Sequence, residues 1–100
     1  MIDLDERQLS IVIAVLDAGV PDVPVFAFGS RVSGRAKKHS DLDLALEATL
    51  PMDWRRMARL REAFEESDLP FRVDVVDWRV CSPQFKAHAS PMVTLAGRRI

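Results

Sequence analysis

The segment Asp41-Leu42-Asp43-Leu44-Ala45-Leu46 constrains this chain more than any other stretch. Its acids and leucines alternate, and a period of two is that of a strand with two unlike faces. Leu42, Leu44 and Leu46 then face a core, while Asp41 and Asp43 leave the opposite side together, roughly 6 to 7 Å apart along the chain. Such a strand belongs in a sheet whose second face is open.

Two other stretches give those acids a context. Gly29-Ser30-Arg31-Val32-Ser33-Gly34 reads as a tight turn opening a short helix, from Ser30 to about Arg35. Unpaired N–H groups and the positive end of the helix dipole then face outward, and with the Ser30 hydroxyl they suit a phosphate. Phe71-Arg72-Val73-Asp74-Val75-Val76 reads as a buried strand interrupted by one acid, and a carboxylate has little reason to sit there without a partner. Two hard cations about 3.5 to 4 Å apart need several carboxylate oxygens, and an acid from a neighbouring strand completes the set. Asp41, Asp43 and Asp74 therefore read as ligands for two Mg²⁺, with a nucleoside triphosphate on Gly29 and Ser30. Each part alone has a plainer explanation: a solvated strand face, an ordinary helix cap, an ion pair of Asp74 with Arg31 or Arg72. Taken together, the three parts favour the site.

The pattern resembles the nucleotidyltransferase superfamily that includes DNA polymerase β, and within it the minimal nucleotidyltransferases. Their wording, Gly-Ser-Arg-X-X-Gly, a short spacer and Ser-Asp-(Ile/Leu)-Asp-Leu, is met by Gly29, Ser30, Arg31, Gly34, Ser40, Asp41, Leu42, Asp43 and Leu44. The resemblance implies an α/β (α+β) nucleotidyltransferase fold, a small mixed sheet of three to four strands flanked by helices. It implies catalytic and metal-binding roles for Asp41, Asp43 and Asp74, and nucleotide contacts from Gly29, Ser30, Arg31 and Ser40. It further implies ATP as substrate, with Mg²⁺, and pyrophosphate as leaving group. Proteins similar in this way are commonly paired with a helical HEPN protein, an RNase toxin, and act as its antitoxin by adding AMP to a tyrosine hydroxyl. Other readings stay open: a non-catalytic antitoxin that works by occlusion, nucleotidyl transfer to a small molecule, and a scaffold subunit.

Composition narrows the classes. One hundred residues suit a single domain, 1–100, without a second substrate-binding domain. The 14 Lys and Arg against 15 Asp and Glu leave a net charge of −1, which argues against a dedicated nucleic-acid binder. Cys81 is the single cysteine, so no intrachain disulfide forms, and it reads as a lone buried or half-buried thiol. His39 and His88 lack the spacing of a zinc site and read as surface residues. The first residues lack the regions of a signal peptide, and the longest apolar run, Ile11 to Leu16, is far below the roughly 20 residues of a membrane span, so a cytoplasmic protein is expected.

Periodicity supplies the remaining elements. A helix is expected over about Asp5 to Ala18, with Leu9, Val12, Ile13 and Leu16 inward, Gly19 as its stop, and Ile11 and Val15 off the stripe where a partner could bind. Strands are expected over Val23 to Phe28, with Pro24 at an edge or irregular position, over Asp41 to Glu47, and over Phe71 to Asp77. A second helix spans about Pro51 to Ser67, with Met57, Leu60 and Phe64 inward. Ser82 and Pro83 open a short helix that Pro91 ends, residues 92–95 form an edge strand, and the 98–100 tail is loose. Arg35, Lys37 and Lys38 read as a charged spacer, and Trp54 and Trp78 as packing residues.

Overall fold

The computed structural model describes residues 2–49, 52–89 and 92–95. The roles expected of Pro51 and Pro91, and the 98–100 tail, lie outside the described residues. The first helix, α1 (Glu6–Gly19), starts where the sequence supplies a capping box: the Gln8 N–H donates to Asp5 Oδ1 at 2.7 Å, and the Asp5 N–H donates to Gln8 Oε1 at 3.1 Å. Asp5→Ala is expected to cost about 1 kcal/mol, read as a shifted urea midpoint with an unchanged slope. Val12 and Leu16 are fully buried, and Leu9, Ile13 and Val15 pack against the same core. Val15, expected off the stripe, is half-buried at the edge of this core.

Four strands form one mixed sheet in the order β3-β2-β1-β4, where β1 is Val25–Phe28, β2 Leu42–Leu46, β3 Val73–Asp77 and β4 Val93–Thr94. β1 runs antiparallel to β2 and β4, and β2 runs parallel to β3. The parallel step needs a crossover, which α3 (Trp54–Glu65) provides. Between β1 and β2 lies the short α2 (Ser30–Ser33).

Two expectations change here. β1 is a central strand with all four residues buried, and Pro24 does not weaken it because Pro24 stands just outside; only its carbonyl is used, accepting from the Glu47 N–H at 2.8 Å. β3, read as a buried strand, is an edge strand in which only Val75 is buried. Because the Leu42 N–H donates to the Arg72 carbonyl, the backbone groups of Val73, Val75 and Asp77 face outward. Part of that outer flank is covered, by Arg61 donating to the Val75 carbonyl at 2.9 Å and by the Cys81 thiol against the Asp77 carbonyl at 3.4 Å. Covered carbonyls make an edge a poorer template for another strand.

α1 and α3 cover one face of the sheet, where Val12, Leu16, Leu42, Leu44, Leu46, Met57, Leu60 and Phe64 form the main core. The alternation read from the sequence thus sends the leucines of β2 to this side. The opposite face is not wholly open. Phe26, Phe28, Ala45 and Ala89 form a second cluster there. It is roofed by a 3₁₀ turn at Trp78–Val80, whose Trp78 meets Phe26 edge-on at 4.8 Å, and by α4 (Pro83–His88), whose Phe85 meets Phe28 at 5.6 Å. Ser82 caps α4 through the Phe85 N–H, with Pro83 in its first turn, as the sequence implies. Trp78 packs as expected, but Trp54, beginning α3, is 71% exposed. Among the described residues no helix is long and apolar enough to cross a membrane.

Candidate active site

β1 delivers Phe28 into Gly29, whose backbone (φ 81°, ψ −157°) lies in a region that essentially only glycine occupies. The chain then turns directly into α2, and Gly34, left-handed at φ 85°, ends it. The Val32 and Ser33 N–H groups both donate to the Gly29 carbonyl, at 3.1 and 3.0 Å. Among the described residues the Ser30 and Arg31 N–H groups and the Ser30 hydroxyl have no partner, which leaves three donors at this turn for an anion.

The strand register places the acids against that turn. Asp43 is the antiparallel partner of Phe28, the residue before Gly29, and the parallel partner of Asp74. A Cβ on Gly29 would lie 2.2 Å from Asp43 Oδ2, so the backbone of the turn and the carboxylate already touch. Asp41 is exposed immediately before β2, and Asp74 is exposed on β3. The half-buried Asp43 carboxyl is pushed up to about 6 from 3.8, first by burial, then by the negative charge of Asp74 and then by that of Asp41. Three acids thus share one electrostatic site, and a cation there would relieve both their repulsion and the burial penalty. The alternative partners fail: among the described residues the ion pairs are Arg7–Asp68 and Arg56–Asp22, and Asp74 pairs with neither Arg31 nor Arg72.

Among the described residues no three His, Cys, Asp or Glu side chains are gathered to cage a metal unaided. Asp41 and Asp74 instead act on Asp43 through their charge, one from just before the same strand and one from the neighbouring strand. That donor set fits Mg²⁺, which keeps several waters and is bound through one or two carboxylates together with substrate phosphates.

Two residues expected at the nucleotide belong to the framework. Arg31 is 5% exposed. Its Nε donates to the Ser40 carbonyl at 2.9 Å, NH1 to the Asp3 carbonyl at 2.9 Å and NH2 to the Lys38 carbonyl at 3.1 Å, and the guanidinium carbon lies 3.9 Å from the centre of the Phe71 ring. The guanidinium is thus engaged by protein carbonyls and an aromatic face. The Ser40 hydroxyl accepts from the Lys37 N–H at 2.8 Å, closing the loop that leads to Asp41. Phe71 and the Asp3 carbonyl escaped the sequence reading, since an aromatic ahead of a strand and a backbone oxygen carry no motif. Lys37, Lys38, His39 and His88 are exposed, and Cys81 is half-buried, as expected.

A mixed sheet carrying a row of acids beside a glycine-serine turn defines the nucleotidyltransferase class of enzyme. The chain matches the family described as polymerase beta, nucleotidyltransferase over residues 23–92, and it belongs to that family. It is 52% identical over 85 residues to the probable protein adenylyltransferase MntA of Haemophilus influenzae, covering 85% of this chain and 75% of the relative. Among solved structures it is similar to a toxin–antitoxin crystallised with AMP-PNP, at TM-score 0.71 and 26% identity, covering 87% of this chain and 71% of the other. It is also similar to a mutant of the toxin–antitoxin MntA–HpeT, at TM-score 0.63 and 29% identity, covering 85% and 65%.

Proposed function

We propose that this nucleotidyltransferase moves AMP from ATP to a tyrosine hydroxyl of a HEPN-type toxin and so serves as the antitoxin of the pair. The observation that carries the chemistry is the contact between the Gly29 backbone and Asp43, with Asp74 as the next strand's register partner. It supports a phosphate turn beside acids whose mutual repulsion a cation would relieve. The choice of ATP and of a toxin partner is supported by the likeness to a protein adenylyltransferase and to a toxin–antitoxin holding an ATP analogue.

In the reaction the acceptor oxygen bonds to the α-phosphorus, the bond from that phosphorus to the β-phosphate bridging oxygen breaks, and pyrophosphate departs. The turn at Gly29 and Ser30 holds the β and γ phosphates, with the Ser30 and Arg31 N–H groups and the Ser30 hydroxyl as donors, which aligns the leaving group. Asp41, Asp43 and Asp74 would hold two Mg²⁺ together with the phosphates, and ions held there would supply neutralisation of the charge on the attacking and leaving oxygens. Asp74, on the edge strand, orients the acceptor hydroxyl and receives its proton.

Mixed with its cognate toxin and Mg-ATP, the protein is expected to add one or more AMP masses to the toxin, mapped by fragmentation to a tyrosine. Consumption of ATP with no protein adduct would move the acceptor to a small molecule. No consumption at all would sink the transfer reading.

A further inference from the structure

Arg31 is the one buried charged side chain among the described residues, and no carboxylate pairs with it. A buried guanidinium without a counter-ion is costly unless it finds polar partners, and here each of its three nitrogens donates to a backbone carbonyl and one face stacks on an aromatic ring. Those partners come from separate parts of the chain. Ser40 directly precedes Asp41, Phe71 lies three residues before Asp74, and Arg31 itself follows Ser30. The N-terminal segment is drawn in as well, because the Asp3 N–H donates back to the Arg31 carbonyl at 2.6 Å. Residues 35–41 carry no helix or strand to hold them in place. The local bonds between Lys37 and Ser40 close that loop on itself, and the bonds of Arg31 to Lys38 and Ser40 tie it to α2.

Resting on the transfer reading above, we propose that the Arg31 side chain has a positioning role: the guanidinium fixes the spacing between the phosphate turn and the acids of β2 and β3 without itself touching the nucleotide. The task requires arginine. A planar fork with five donors reaches carbonyls in several directions while its flat face stacks on a ring, and a lysine ammonium offers one compact charge that cannot do both. Reactive geometry is also intolerant, since a displacement of about 1 Å costs about a hundredfold in rate. Loosening this clamp therefore shows in turnover before it shows in binding.

The wild-type protein supplies the first test, by phenylglyoxal labelling with peptide mass mapping, with and without Mg-ATP. Exposed Arg35 and Arg72 should react while Arg31 resists, and ATP should make no difference at Arg31. Rapid labelling of Arg31 that ATP blocks would show a nucleotide ligand and overturn the proposal. Arg31→Lys and Phe71→Leu supply the second, through steady-state transfer and calorimetric Kd for Mg-ATP. Arg31→Lys should lose about a hundredfold in kcat while Kd stays within about threefold, with Phe71→Leu changing in the same sense and by less. Retained kcat with ATP binding weakened tenfold or more in Arg31→Lys would equally overturn it. Should Arg31→Lys fail to fold, Phe71→Leu and the labelling decide. Absence of transfer by the wild type would strike the proposed reaction, and labelling would still judge the placement of Arg31.

Discussion

Asp43→Asn is expected to lower AMP transfer by at least about a thousandfold and, at the same time, to make the protein harder to unfold. The loss follows from position: Asp43 touches the phosphate turn on one side and is paired in register with Asp74 on the other. The gain follows from electrostatics. Its folded-state pKa of about 6 lies above the ordinary 3.8, so the folded chain holds this proton more tightly than the unfolded chain does. The ionised group thus opposes folding fully above pH 6, the opposition fades as pH falls toward 3.8, and below that it is gone. A shift of about two units corresponds to nearly 3 kcal/mol, which solvent screening of a half-buried group reduces to about 1–2 kcal/mol. In EDTA at pH 7.5 the melting temperature of Asp43→Asn should exceed that of the wild type by about 5–10 °C, and the gap should close on acidification through pH 6. A gap independent of pH would mean that repulsion among the acids is not its cause. The same variant separates chemistry from occlusion: loss of toxin neutralisation shows that transfer is needed, and intact neutralisation shows that binding suffices.

That trade of stability for chemistry was half visible in the residue order. Alternation in β2 told which residues turn to the core, because a period of two leaves no other choice for three leucines beside two acids. The glycine-serine turn and the acids announced themselves by type, since polar groups placed where apolar ones would pack better need a reason. Arg31 was only partly legible for an equally physical reason: an arginine in a phosphate turn reads as an anion contact, and only the fold shows that three carbonyls meet it. Strand order was likewise hidden. Val73, Val75 and Val76 carry the β-branched signature of a buried strand, but that signature does not distinguish a central strand from an edge strand whose outer flank is screened by Arg61. Nor does local sequence report that Asp43 would be half-buried, because the residues beside it in the sheet, Phe28 and Asp74, are distant in the chain.

Gly29→Ala is expected to injure fold and site together, through two terms that can be separated. The first is conformational: φ 81° with ψ −157° is closed to a residue with a Cβ, at a cost of about 1–3 kcal/mol. The second is contact, since the new methyl would stand 2.2 Å from Asp43 Oδ2 and 3.1 Å from its Cγ, and one of the two must move. Either movement parts the phosphate turn from the acid, so transfer should fall by more than about a hundredfold even in the fraction that folds. Asp43→Ala removes the offending oxygens and leaves a Cβ at an ordinary 3.4 Å, while the backbone strain persists. Unfolding free energies of the wild type, both single variants and the double variant therefore form a cycle. Gly29→Ala should cost clearly less in the Asp43→Ala background than in the wild type, with the residual near the conformational term alone. An equal cost in both backgrounds would show that the turn and the carboxylate do not press on each other, and the close approach on which the phosphate-and-acid site is built would be wrong.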